Sequence, residues 1–452
     1  MAESDLLTRK DCWDIFSRVL DAGRSLGVPD IEAIIGANDS SLTRFANNTI
    51  HQNVSERRRY VSVRAVVGHR TARASTNRLD DASIRAVVEQ AVAITRSSEP
   101  DPDLPPLAEP AEIRSVDRFC PSTAQRTPQE RADAVAEAIE LVESAGQTAA
   151  GIYSTGQSVE AVLNARGVFA YYFDTLAQFS ITAMAADSSG WAKASVPDCD
   201  EIDHVALARR ASEKAGLSRK PRELEPGRYT VILEPSAVQD LLGQVFHDFS
   251  ATAIRDKRSF LTGRLGERLF GEGIYIADDA FHPLQLGAQF DGEGVPRRRL
   301  ALVENGVPQE VAWSRQAAHR DRREPTGHGF PAPNELGEAP MNIVFEGGSE
   351  TLERMIASAG PAILVTRLWY IREVDPYEKI MTGMTRDGTF FVEDGKVVSG
   401  LRNFRFNQSL IEMLKNVEAM SPAERAAGEE SFDMVVPALR VADFNFTEAT
   451  RF

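Results

Sequence analysis

The chain has 452 residues, 42% apolar and 26% charged, with 51 Lys plus Arg against 66 Asp plus Glu and a formal net charge of −15. That composition excludes global disorder, and the length suggests two or three domains. The acidic balance argues against a binder of duplex DNA or of an anionic membrane, and no run approaches the roughly 18 apolar residues of a membrane span.

The first 11 residues, MAESDLLTRKD, carry no apolar core of a signal peptide, so a cytoplasmic protein is expected. Cys12, Cys120 and Cys199 lie far apart with no CxxC pair, which excludes a disulfide framework or a cysteine zinc knot. A first helix follows Thr8-Arg9-Lys10-Asp11, with Cys12, Phe16, Val19 and Leu20 on its apolar stripe and Gly27 beyond its last turn. A short strand is expected over 31–35, then a polar turn at Asn38-Asp39-Ser40-Ser41. Over 58–67, Val61, Val63, Ala65 and Val67 alternate with Ser62 and Arg64, the period of a half-buried antiparallel strand. Asp81 opens a helix carrying Ile84, Val87, Val88 and Ala91. Residues 99–110 hold five prolines and read as an extended connector, placed at about 99–126. Thr127-Pro128-Gln129-Glu130 then starts a helix by a capping box, with Ala132, Val135, Ala136, Ile139 and Val142 as its stripe. The segment around Phe45-Ala46-Asn47 is echoed about 117 residues later at Val162-Leu163-Asn164, each leading into an alternating strand, which suggests an internal duplication.

Residues 218–227 are charged, hold two prolines and lack periodicity. They divide an N-terminal α+β domain, 1–222, from a C-terminal β-rich domain, 223–452. Beyond them lie a strand over 229–233, others over 362–370 and 439–446, and helices after Ser349 and Asn407. Asn305-Gly306 and Asp394-Gly395 suit type I′ hairpin turns. The fold class is α+β, with the second half a mainly antiparallel sheet or barrel.

No Walker loop, GxGxxG fingerprint or GxSxG elbow occurs. Gly271-Glu272-Gly273 and Gly292-Glu293-Gly294 read as turns, and Gly347-Gly348-Ser349 as a glycine turn followed by a serine cap. Arg57-Arg58-Arg59 and Arg297-Arg298-Arg299 read as solvated strand edges, not nucleic-acid contacts. None of the seven histidines forms HxxxH or HExxH. The nearest thing to a metal constellation is His247-Asp248, on a helix capped by Ser236 with Gln239 completing the box and an unbroken stripe through Phe249. Gly243, Gln244, His247 and Asp248 form its partly solvated face, and a metal there needs a remote companion such as His328.

Several segments together resemble the TldD/PmbA family, also described as modulators of DNA gyrase. They are the stretch from Leu42-Thr43-Arg44-Phe45 to His51-Gln52, the loop Glu324-Pro325-Thr326-Gly327-His328-Gly329, Thr382-Gly383-Met384-Thr385-Arg386-Asp387-Gly388-Thr389-Phe390, and Phe406-Asn407-Gln408-Ser409. Their order covers nearly the whole chain. The resemblance implies a subunit of a zinc-dependent peptidase. In that family TldD-type chains carry His-Glu-x-x-x-His on the first helix of the C-terminal half, while TldE (PmbA)-type chains lack it and pair with a TldD-type partner in a hollow heterodimer that admits unfolded peptides.

A gap-free match places the motif's first His, Glu and second His on Gly243, Gln244 and Asp248. Glycine offers zinc no lone pair, and an amide cannot take a proton from a bound water. The expectation is therefore a TldE-like subunit with no catalytic residue, no cofactor and no metal of its own. Zinc is expected in the TldD-type partner, and peptide docking at strand edges near the two hairpins. The rival readings are a peptidase with an unusual site from His247, Asp248 and His328, and a non-enzymatic gyrase-modulating binding protein.

Overall fold

In the computed structural model, which describes residues 6–450, the first half of the chain repeats one helix–three-strand–helix unit. The first copy is α1 (Arg9–Ser25), β1 (Ile31–Ala46), β2 (Thr49–Val67), β3 (Arg70–Thr76) and α2 (Asp81–Ser97). A single turn, α3 (Pro121–Ala124), ends the extended connector. The second copy is α4 (Pro128–Ser144), β4 (Thr148–Asn164), β5 (Phe169–Met184), β6 (Ser189–Val196) and α5 (His204–Leu217). The echo noted in the sequence thus has a structural counterpart. Among the described residues the two copies share one six-stranded antiparallel sheet, ordered β3-β2-β1-β4-β5-β6, with β1 against β4 at its centre. Capping boxes start α1 (Thr8 with Asp11) and α4 (Thr127 with Glu130), each hydroxyl accepting the third residue's N–H.

Odd-numbered residues of the central strands face the helices: Ile31, Ala33 and Ile35 pack under α1 and α2, and Ala177, Phe179 and Ile181 under α4 and α5. Even-numbered residues face the second half of the chain, where Ile34, Val162, Ala170 and Tyr172 pack against Phe290. Both sides of the sheet are therefore covered at its centre, while residues 51–60 of β2 stay exposed. Ser62 and Arg64, expected on a solvated face, are buried because the second half lies over them. The turn expected at residues 38–41 is absent. β1 runs straight through, paired on both edges, with Asp39 opposite Arg57 and accepting from its guanidinium at 2.6 and 2.9 Å. Two-sided pairing overrides the turn preference of Asn, Asp and Ser. The chain reverses instead at Asn47-Asn48, with φ of 51° and 57°. In α4 the buried stripe is Arg131, Val135, Ala138, Ile139 and Val142, so Ala132 and Ala136 do not belong to it. Arg57 to Arg59 do lie on an open edge, since β3 pairs with β2 only from Val61 onward.

The second half begins with β7 (Gly227–Leu233), α6 (Pro235–Leu242), α7 (Ala251–Arg255), β8 (Ile276–Asp278), β9 (Leu300–Glu304), β10 (Val307–Pro308), α8 (Arg315–Asp321), β11 (Ile343–Phe345) and α9 (Leu352–Ala357). It continues with β12 (Ala362–Asp375), β13 (Ile380–Glu393), β14 (Lys396–Gly400), β15 (Phe404–Ser409), α10 (Leu410–Lys415), β16 (Val417–Met420), β17 (Glu424–Ala426), β18 (Met434–Val436) and β19 (Leu439–Ala449). Among the described residues these strands form two sheets. One is ordered β10-β9-β8-β11-β18-β17. The other is ordered β12-β7-β19-β15-β13-β14, with β16 beside β19. Because β12 also pairs with β13, five strands close into a ring. Two pairs, β7–β12 and β11–β18, are parallel, so the half is mixed where the hairpin signals suggested mainly antiparallel pairing.

Both expected I′ turns form, with φ of 46° and 79° at Asn305-Gly306 and 49° and 73° at Asp394-Gly395. α9 is capped by Thr351, not Ser349. Arg298 and Arg299 are exposed, but Arg297 turns inward, with its Nε and Nη1 buried and without hydrogen-bond partners. The turn at Glu293 also joins the two halves, because its carboxylate receives Arg64 at 2.8 Å and Arg315 at 3.1 Å and so ties the first sheet to the second half. No described helix is long and apolar enough to cross a membrane.

Candidate functional site

α6 is the helix on which the sequence placed its candidate metal motif, and its ends differ from the expected ones. Pro235 fills the first helical position after Glu234, whose carboxylate is held by Lys214 at 2.7 Å, so neither Glu234 nor Ser236 caps the helix. Gln239 completes no capping box. Its amide donates to the carbonyls of Phe432 (2.7 Å) and Ser431 (3.2 Å). The helix ends at Leu242, Gly243 is its C-cap, and a 3₁₀ turn spans Phe246–Asp248. The apolar stripe therefore does not continue as one helix, although Val245, Phe246 and Phe249 all remain buried. The glycine at the break has a local reason. A Cβ on residue 243 would sit 1.7 Å from Ser431 Oγ, so the facing loop occupies the space a side chain would need.

That loop, residues 428–433, connects β17 to β18 and is clamped from α6. Asp240 accepts the N–H groups of Glu430 (3.0 Å) and Glu429 (3.1 Å) on one oxygen and that of Leu368 (3.3 Å) on the other. Burial pushes the Asp240 carboxyl up to about 6 against the pull of these donors. Glu430 in turn accepts the N–H of Ile371 on β12 at 3.1 Å. Helix, loop and strand form one hydrogen-bonded unit.

The four polar residues at the end of α6 have different environments. Gly243 and Gln244 are half-buried, His247 is exposed, and Asp248, expected to be partly solvated, is buried. Asp248 pairs with the ammonium of Lys379 and also accepts the N–H of Phe260 at 3.1 Å. Lys379 bridges onward to Glu373 at 2.6 Å. Burial raises the Asp248 carboxyl, and Lys379 opposes that shift. His328, offered as the remote companion, is buried beside Asp278, with Nε2 3.0 Å from Oδ1. Its Nδ1 lies 3.0 Å from Thr326 Oγ1. Burial would raise the Asp278 carboxyl, but His328, Arg297 and the Asn342 N–H together hold it down at about 2. His247, Asp248 and His328 thus have separate surroundings, and the structure does not assemble them into one site.

These side chains do not fit a zinc ion. Gly243 has no donor and no room for one, Gln244 Nε2 reaches toward the Glu430 carbonyl at 3.5 Å, and the Asp248 charge is already answered by an ammonium. Elsewhere among the described residues, Asp198, Cys199 and Asp200 are close enough to share an ion. Arg126 occupies that cluster, donating to Cys199 Sγ at 2.8 and 3.0 Å and to Asp200. Sequence reasoning found α6 but missed Asp240, Lys379 and Ser431, which lie at the site only through long-range packing. Of the edges near the two hairpins, β10 is two residues long, whereas β14 is an edge strand over Lys396–Ser399, its last residue Gly400 accepting the N–H of Arg222 at 2.9 Å.

Three family models match the chain: the PmbA/TldA metallopeptidase domain 1 over residues 31–95, the central domain over 108–219 and the C-terminal domain over 226–448. A metalloprotease of Methanothermobacter thermautotrophicus is 26% identical over 314 residues, 63% of this chain and 66% of that protein, so the match spans just under two thirds of the relative's length. Metalloprotease PmbA of Escherichia coli O157:H7 is 23% identical over 400 residues, 83% of each chain. The crystal structure of TldE from Thermococcus kodakarensis superposes with a TM-score of 0.88 at 20% identity, covering 96% of this chain and 100% of the other, a likeness of fold.

Proposed function

The chain belongs to the PmbA/TldD metallopeptidase family, and from that premise we propose that it is a TldE-like subunit, non-catalytic alone, of a zinc-dependent peptidase completed by a TldD-type chain. One observation carries the reading: where the family's ligands would stand on α6, Gly243 is packed against Ser431 and Asp248 is neutralised by Lys379. A side chain committed to a buried ammonium does not offer its lone pairs to a metal without breaking that pair.

The contribution of this chain is then structural. It walls a peptide chamber, stabilises the partner, and presents the first four residues of β14, 396–399, as an edge on which extended peptide can add as a strand. The deciding measurement is metal content together with cleavage of an unstructured peptide, made on the lone chain and on the chain mixed with its TldD-type partner. The lone chain should hold no stoichiometric zinc and leave the peptide intact, and the mixture should cleave it in a chelator-sensitive way. Zinc and cleavage in the lone chain would instead identify a peptidase in its own right. A gyrase subunit co-purifying without any TldD-type chain would favour a binding protein.

A further inference from the structure

A cavity of about 610 Å³ opens where the turn between β5 and β6, the exit of α5 and the middle of β13 meet. Of its two carboxylates, Asp387 is fully committed and the exposed Asp187 only in part. Asp387 accepts the Ser189 hydroxyl on one oxygen at 2.6 Å and the Arg367 guanidinium on the other, while Asp187 accepts the N–H of Lys220 at 2.9 Å. Asn403 Oδ1 is committed too, receiving the hydroxyls of Thr389 (3.1 Å) and Thr385 (3.4 Å).

Apart from the exposed Asp187 carboxylate, the uncommitted groups can all donate. Lys220 and Arg402 are exposed in the cavity wall, and among the described residues neither side chain has an ion-pair or hydrogen-bond partner. Ser218, only 7% exposed, also lines the cavity, and its Oγ is buried without a partner. With its oxygen used, Asn403 has its amide N–H groups left to give. A buried hydroxyl without a partner costs free energy that a bound acceptor recovers. Two unpaired cations supply the attraction for a negative one.

We propose that this cavity binds a small molecule through an oxyanion, a carboxylate or a phosphate. The site is separate from the α6 region and holds whether or not the chain is a peptidase subunit. The chain between the two halves, where Ser218 and Lys220 lie, would thereby become part of a ligand clasp.

The test is calorimetric titration of the full chain at low salt with inorganic phosphate, with acetate, and with a trialanine peptide whose C-terminus is free or amidated. At least one oxyanion should bind. Lys220→Met/Arg402→Met should weaken it roughly tenfold or more, and Ser218→Ala should weaken it less. Phosphate binding alone identifies a phosphate site. Binding of the free but not the amidated peptide identifies a carboxylate site. Because Lys220 and Arg402 are exposed and unpaired, the double variant should keep the wild-type melting temperature, which separates lost binding from lost fold. Absence of binding by every oxyanion at about 10 mM, or equal affinity in the double variant, overturns the proposal.

Discussion

Two buried charge networks in this chain use the same chemistry for different ends. In the first, Arg64 sits between Glu293 (2.8 Å) and Glu32 (3.7 Å), with Arg73 on Glu32 (2.6 Å) and Arg315 on Glu293 (3.1 Å). In the second, Lys379 sits between Asp248 and Glu373 at the end of α6. The first joins residues from the N-terminal sheet to residues more than 200 positions away, as the 229-residue separation of Arg64 and Glu293 shows. It is compensated from several sides. The second joins one turn to one hairpin, and Glu373 is 39% exposed. The comparison teaches that burial of charge alone does not mark a catalytic site in this protein: one network fixes how the halves sit, the other fills ground a metal would otherwise need.

The largest expected effect is on the first network. Arg64→Met takes the shared, fully buried cation from the Glu293 and Glu32 carboxylates, which keep only the less buried Arg315 and Arg73, and the loss should be about 3–5 kcal/mol, read as a fall in the urea midpoint. Lys379→Met should cost less, about 2 kcal/mol. Burial already raises the Asp248 carboxyl, so protonation offers it a way out, and Glu373 can turn to water. If the two losses are equal, the distinction between the networks fails. Gly243→His should destabilise by about 1–3 kcal/mol through collision with Ser431, and Gly243→His/Ser431→Gly should recover part of that loss. Neither variant should gain zinc or peptidase activity in metal analysis and cleavage assays, because Asp248 remains bound to Lys379.

How much of this was legible in the sequence follows the range of the interactions. The capping box at Thr127 and the turns at Asn305-Gly306 and Asp394-Gly395 rest on three or four consecutive residues, and all form as their residues dictate. The failures lie where remote chain decides. The polar run at residues 38–41 stays extended because β2 and β4 flank it, and Arg64 is buried because the opposite half covers it, with Glu293 at 2.8 Å. At the site, the residue types at 243, 244 and 248 were readable and pointed away from zinc. Their reasons were not, since Ser431 and Lys379 stand 188 and 131 positions along the chain.

The smallest expected effect is a pH dependence in which two buried aspartates oppose a third. Burial lifts Asp240 and Asp291 from the ordinary 3.8 to about 6. The folded state therefore binds their protons more tightly than the unfolded chain does. Their contribution is fully present below about pH 4 and is lost as pH rises through 6. Asp278 has the reverse sign: held at about 2, it adds stability above pH 4 that is lost as pH falls toward 2. Of these three aspartates only the first pair titrates between pH 7.5 and 5.5, and its contribution should raise the melting temperature by about 1–2 °C on acidification. Asp240→Asn, uncharged throughout, should remove roughly half of that rise while leaving the loss below pH 4 in place. A melting temperature that falls steadily from pH 7.5 to 5.5 would mean that the three N–H donors on Asp240 outweigh its burial. The clamp on residues 428–430 would then be held by a charge at every pH, as the Arg64 network is.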